Sequence, residues 1–161
     1  GRYMLKLSTR GRYGLRAMLD LADGFGTRPI PMGDIARRQG LSRKYLHALL
    51  AGLKEAGLVH AIRGAHGGYE LARAPREIGV GEVVRAMEGD VAIVDCLCDA
   101  EKCPRVPDCA ARMLWSELNQ AMVEVLDRFT LADISAEDLA LRGNSPKVPA
   151  GLGPQCGDIK E

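Results

Sequence analysis

The stretch from Met32 to Ala56 constrains the fold more than any other part of the chain. Met32 to Arg38 reads as a short helix, and Gln39-Gly40-Leu41 reads as a tight turn with its glycine just past a helix end. Ser42 is a good N-cap for a further helix to about Ala56, with Leu46, Leu49, Leu50 and Leu53 as its apolar stripe. Two helices joined by a glycine turn make a helix-turn-helix pattern. The outer face of the second helix carries Ser42, Arg43, Lys44, His47 and Lys54.

Directly after it, LVHAIRG and YELAR alternate as short strands around Gly64–Gly68, a hairpin or wing. Glycines allow a tight tip of positive φ with no bulky side chain. Such a tip can lie close to a sugar–phosphate backbone, with Arg63 reaching a phosphate or a narrow minor groove and His66 and Gly67 beside it. The alternative is a phosphate loop for a small ligand. GAHGG follows a strand but opens no helix, so the context of such loops is missing.

Charge sharpens this reading. Residues 1–73 hold thirteen Lys and Arg against five Asp and Glu, a net +8, and the remainder carries −7, giving the overall +1. A basic front half suggests a polyanionic partner. An opening helix starts after Ser8 or Thr9 and runs to about Gly24, with Leu15, Met18, Leu19 and Ala22 at helical spacing. Arg10, Arg12 and Arg16 sit near its start, where the helix dipole disfavours positive charge, so an outside anion is the better reason for them.

Beyond Pro75, Val80, Val83, Val84 and Met87 form another helical stripe. A long helix is expected from Cys109 to Phe129. Leu114, Leu118, Ala121 and Val125 line one face, with Met113, Trp115, Met122 and Leu126 beside them. That apolar face is too wide for a lone helix on a small domain, and pairing with a second copy would bury it. Residues 130–141 suggest one or two short helices. Arg142 to Glu161, rich in Pro and Gly, reads as a flexible tail holding Cys156. No stretch approaches the ~20 apolar residues of a membrane span, and no signal peptide is evident, so a cytoplasmic protein is expected.

Five cysteines without a secretion signal argue against a disulfide framework. Four of them, Cys96, Cys98, Cys103 and Cys109, fall in one polar segment with gaps of one, four and five residues. Structural zinc usually takes paired knuckles. The wider Cys96, Cys103, Cys109 spacing suits an iron–sulfur cluster better. Zinc, a disulfide switch and plain reduced thiols stay open as alternatives. No C-x-x-C dithiol, nucleophile–base pair or cofactor motif supports an enzyme.

LSTRGRYGLRAMLDLA, IPMGDIARRQGLSRKYLHALLAGLKEAGLV, IRGAHGGYEL, VGEVVRAMEGD, MLWSELNQ and FTLADI occur in this order over roughly residues 5 to 134. On these motifs the chain resembles the IscR-type family of winged helix-turn-helix transcription regulators. The resemblance implies a mostly α fold with a small β-hairpin wing and a long dimerisation helix. It divides the chain into a DNA-binding domain (1–79), a cluster loop with dimerisation helix (80–134) and a tail (135–161). It implies a homodimer on a pseudo-palindromic double-stranded DNA operator, regulated by iron–sulfur or redox status. A same-fold regulator without a cluster, sensing thiol oxidation or a partner protein, is the alternative.

Residue by residue, the family's three cluster cysteines fall on Cys96, Cys103 and Cys109. A 2Fe–2S cluster is favoured, with 4Fe–4S next. The family's histidine ligand position is Arg112, a poor ligand because it stays protonated. An aspartate used by other relatives falls at about Arg12, so Cys98 becomes the first substitute for the fourth ligand, with His60, His66, Asp99 and Glu101 as alternatives. Ser42, Arg43, Lys44 and Tyr45 match the groove-facing start of the recognition helix, and Arg63 matches the wing arginine. His47 stands where relatives hold an operator-discriminating glutamate.

Overall fold

The computed structural model describes residues 7–136. Three helices come first: α1 (Thr9–Asp23), α2 (Met32–Gln39) and α3 (Arg43–Glu55). Strands β1 (Val59–Ile62) and β2 (Gly68–Leu71) follow, then α4 (Val80–Glu88), the one-turn α5 (Asp95–Cys98) and α6 (Ala110–Arg128). A last helical run covers 131–136. The expected winged helix-turn-helix is therefore present, with element ends within a residue or two of those read from the sequence.

Local chemistry sets the boundaries. Ser8 Oγ accepts from Gly11 N–H at 3.2 Å, and Ser42 Oγ accepts from Tyr45 N–H at 3.2 Å, capping α1 and α3. Gly40 ends α2 at φ +65, ψ +34, a left-handed conformation that turns the chain sharply into α3. β1 and β2 pair antiparallel from Val59↔Leu71 to Ile62↔Gly68. Ile30 adds a one-residue edge, exchanging two 2.8 Å backbone hydrogen bonds with Tyr69, so the loop after α1 is stitched to the wing.

One core holds these elements together. Met18, Ile35, Leu46, Leu50, Leu53, Ile78, Val83 and Leu131 are fully enclosed in it. The stripe read for α1 is rotated from expectation. Gly11, Gly14, Ala17, Met18, Asp20 and Leu21 are the buried residues of that helix, while Leu15, Leu19 and Ala22 lie only partly covered at the core's margin. The small residues are the reason. Gly14 receives the Met87 side chain and lets α4 pack closely, a contact that apolar periodicity cannot register.

The basic start of α1 also has an internal counter-charge. Glu88, at the end of α4, accepts from Ser8 N–H at 3.2 Å and from Ser8 Oγ–H at 2.6 Å. This puts a carboxylate at the positive end of the helix dipole. A second carboxylate, Asp20, is buried at 6% exposure and accepts from Arg38 Nε at 2.9 Å and Gln39 Nε2 at 3.0 Å, locking α2 to α1. The Arg38 guanidinium is held above its ordinary value by the hydrogen bond to Asp20, which outweighs its partial desolvation.

The chain beyond α6 returns to this core. Val80 N–H donates to Phe129 C=O, and Leu131 N–H donates to Ile78 C=O, each at 2.9 Å. Arg85 pairs with Asp127 at 2.7 Å, and Ser135 Oγ–H donates to Asp23 at 2.8 Å. The sequence-based domain boundary at 134/135 therefore falls inside a segment docked on α1. Residues 137–161, with the expected tail and Cys156, lie outside the described residues.

Candidate DNA interface and cysteine loop

On α3 the leucines turn inward, and Arg43, Lys44, His47, Ala48 and Ala51 are exposed on the other side. This is the face expected to enter a groove. Ser42 is also exposed, but its hydroxyl is engaged as the α3 cap. Tyr45 departs from the expected pattern. It is half-buried, and its ring meets Tyr13 edge to face at 6.2 Å, so it braces α3 against α1 rather than projecting freely. The Arg43 guanidinium leans toward Gly33 at the start of α2.

The α1 arginines flank the same helix. The Arg10 head group lies against Gly52, seven residues after Tyr45 and on the same side of α3. Arg12 is exposed. Arg16 donates Nε–H to Gln39 Oε1 at 2.9 Å and lies 5.1 Å over the Tyr13 ring. Sequence reasoning had no signal for the Tyr13, Gln39 and Asp20 links, which appear only once α1 and α2 are packed.

At the wing tip Arg63 and His66 are exposed, and Gly67 is half-buried. A Cβ on Gly67 would run into the Ile62 carbonyl, so the tight tip requires glycine there. The two arginines bracketing the hairpin differ. Arg63 extends into solvent, whereas Arg73 donates to Glu82 at 2.7 Å and to the Glu77 carbonyl at 3.0 Å, tying β2 to α4. Burial pushes Glu82 up, but Arg73, the Gly79 N–H and Arg85 together outweigh it and leave the carboxyl below its ordinary 4.5.

The cysteine segment is built from α5 and two 3-10 turns, Ala100–Lys102 and Val106–Asp108, with Cys109 immediately before α6. All four cysteines here are free thiols. Burial sorts them: Cys96, Cys103 and Cys109 are half-buried, and Cys98 is exposed. Arg112, on the first turn of α6, donates Nε–H to the Cys96 carbonyl at 3.4 Å. Among the described residues no three His, Cys, Asp or Glu side chains are grouped so as to hold a metal ion. The three half-buried thiols are donors of the kind a cluster takes, while the fourth-ligand role read for Cys98 gains no support from its exposure.

From this loop α6 runs out with no fully buried residue. Met113 is 71% exposed and Leu114 57%, with Leu118, Val125 and Phe129 also open. No helix among the described residues is long and apolar enough to cross a membrane.

A recognition helix with a basic outer face, a glycine-tipped wing and a long projecting helix define a winged helix-turn-helix DNA-binding regulator. Comparison with known proteins agrees. The family model described as "Rrf2: Iron-dependent Transcriptional regulator" matches residues 7–137, and the chain belongs to the Rrf2 family. It is similar to Protein rrf2 of Nitratidesulfovibrio vulgaris, at 45% identity over 81% of this chain and 87% of that one. It also resembles the HTH-type transcriptional regulator CymR of Bacillus subtilis, at 42% identity over 82% of this chain and 91% of CymR. The solved CymR structure, described as the global cysteine regulator, superposes with TM-score 0.69 at 42% identity, covering 83% of this chain and 98% of CymR. T. potens IscR superposes with TM-score 0.71 at 40% identity, over 91% and 96% of the two chains. Of these, CymR is named an HTH-type transcriptional regulator.

Proposed function

We propose that the chain is a homodimeric transcription regulator that reads a pseudo-palindromic DNA operator and senses iron–sulfur status through its cysteine loop. The DNA-reading part rests on one observation above others. The exposed face of α3 and the wing tip both present cations, Arg43, Lys44 and Arg63, that no carboxylate among the described residues pairs. In a dimer two such units address two half-sites.

The sensing part rests on the sorting of the cysteines. Cys96, Cys103 and Cys109 would hold the cluster, 2Fe–2S before 4Fe–4S, and a bound cluster supplies a redox-labile crosslink among three thiolates. The rest is this chain's own geometry. Cys109 occupies the N-cap position of α6, and Arg112 donates to the Cys96 carbonyl from the same helix. Drawing the three thiols together therefore re-sets the start of α6. Arg85 and Asp127 join the far end of α6 to α4 and so to the winged helix. Regulation requires the two loop states to differ in DNA affinity.

A second reading keeps the fold and DNA binding but senses thiol oxidation or a partner protein. The lack of a grouped three-donor site among the described residues favours it, as does likeness to a cysteine regulator. The visible spectrum of anaerobically purified protein, with iron and acid-labile sulfide assays, separates the two. Visible bands with equal iron and sulfide are expected, and Cys103→Ala should abolish them. A protein that stays colourless after anaerobic reconstitution overturns the cluster reading and leaves the thiol one.

A further inference from the structure

We propose that Arg16 is a phosphate-contacting residue of the DNA interface, pre-set beside the start of α3 by Gln39 and Tyr13. The inference rests on the DNA-binding reading above and extends it to a residue that neither the helix-turn-helix nor the wing contains.

The Arg16 side chain is fixed on two sides. Its Nε–H donates to Gln39 Oε1 at 2.9 Å, and its guanidinium carbon lies 5.1 Å over the Tyr13 ring centroid. Both supports are themselves anchored. Gln39 donates Nε2 to the buried Asp20 at 3.0 Å, and Tyr13 meets Tyr45 edge to face. Gln39 ends α2 and Tyr45 lies in the first turn of α3, so the guanidinium stands next to the turn that opens the recognition helix.

Within the described residues its charge meets the Tyr13 ring and no carboxylate. Arg16 is exposed, and its two η nitrogens make no hydrogen bond or ion pair among the described residues. Asp20 is already occupied by Arg38 and Gln39. A link to Gln39 alone needs only one neutral donor. Arg16, Arg43 and Lys44 instead leave three unpaired cations around the start of α3, where the helix dipole disfavours them. Successive phosphates of a duplex backbone, brought from outside, can neutralise them. The free edge of a guanidinium, already ordered before contact, forms a two-pronged hydrogen bond to a phosphate with little further loss of side-chain freedom.

The test uses the full-length protein and a duplex selected from a random pool by the wild-type protein, beside a scrambled duplex of equal length. Dissociation constants are measured across salt concentrations for wild type, Arg16→Gln and Arg16→Lys, with thermal midpoints alongside. Arg16→Gln is expected to weaken binding to both duplexes by a similar factor, roughly tenfold at low salt, and to lower the slope of log K against log salt by about 0.9 per lost contact. Arg16→Lys should keep the wild-type slope. An unchanged slope in Arg16→Gln, or a loss confined to the selected duplex, overturns the proposal in favour of a purely structural link. Absence of wild-type binding to any duplex overturns the DNA-binding reading itself, and this inference with it.

Discussion

Residues 9 to 88 fold around side chains that are wholly enclosed, Met18, Ile35, Leu46, Leu50 and Leu53 among them, whereas α6 encloses none of its nineteen residues. The two regions also differ in how their polar groups are used. In the winged helix, Asp20, Glu88 and Glu82 each tie two elements together. Along the cysteine loop and α6, the long-range ties are few: Ile93 N–H to Asn119 at 3.1 Å, Arg112 to the Cys96 carbonyl, and Arg85 to Asp127. The winged helix contains its own reason to fold. The cysteine loop and α6 instead present exposed apolar side chains and free thiols with few such ties among the described residues.

The sharpest way to break this comparison is a matched pair of truncations. Leu50→Ala opens a cavity in the enclosed core and should cost about 2–5 kcal/mol in denaturant unfolding, whereas Leu114→Ala, 57% exposed, should leave the winged helix as stable as before. Equal losses at both sites would show that α6 is part of the same core. Next in size is assembly. Leu118→Glu places a charge on the apolar face of α6 and should convert dimer to monomer in sedimentation experiments, with little change in helical content. A dimer that survives would place the interface elsewhere.

Smaller effects separate the two arginines that bracket the wing. Arg63→Ala should weaken duplex binding and flatten its salt dependence with no change in unfolding. Arg73→Ala should do the reverse, costing at most about 1 kcal/mol because its pair with Glu82 is half-exposed. The smallest effect is a pH dependence. Glu82 titrates below its ordinary 4.5 in the folded chain, so the folded state binds fewer protons than the unfolded one in that window. Its contribution is complete above about pH 4.5 and is lost as pH falls through the lower folded value. Glu82→Gln should therefore lessen the acid loss of stability by a fraction of a kcal/mol, seen in unfolding curves between pH 3 and 6.

Much of the fold was legible because its signals are local. Ser8 and Ser42 cap the helices they were expected to cap, Gly40 makes the turn, and the hairpin closes on its glycines. The stripe of α3 was read correctly since four leucines mark it. That of α1 was misplaced since Gly14 and Ala17 pack without any apolar signature. At the site, Arg43, Lys44, His47 and Arg63 are exposed as expected. Tyr45 looked the same in sequence and is instead turned against Tyr13.

Helix capping, turn chemistry, apolar period and the spacing of Cys96, Cys103 and Cys109 depend on neighbours a few residues apart, and the sequence alone determined them. The tertiary structure decided which cations stay free. Arg73, Arg38 and Arg85 are consumed by carboxylates 9, 18 and 42 residues away in the chain, while Arg63 and the η nitrogens of Arg16 are left open. It also decided that Cys98 is exposed while Cys96, Cys103 and Cys109 are half-buried. Charge pairing and burial are set by distance in space, which a linear pattern does not carry until the helices have packed.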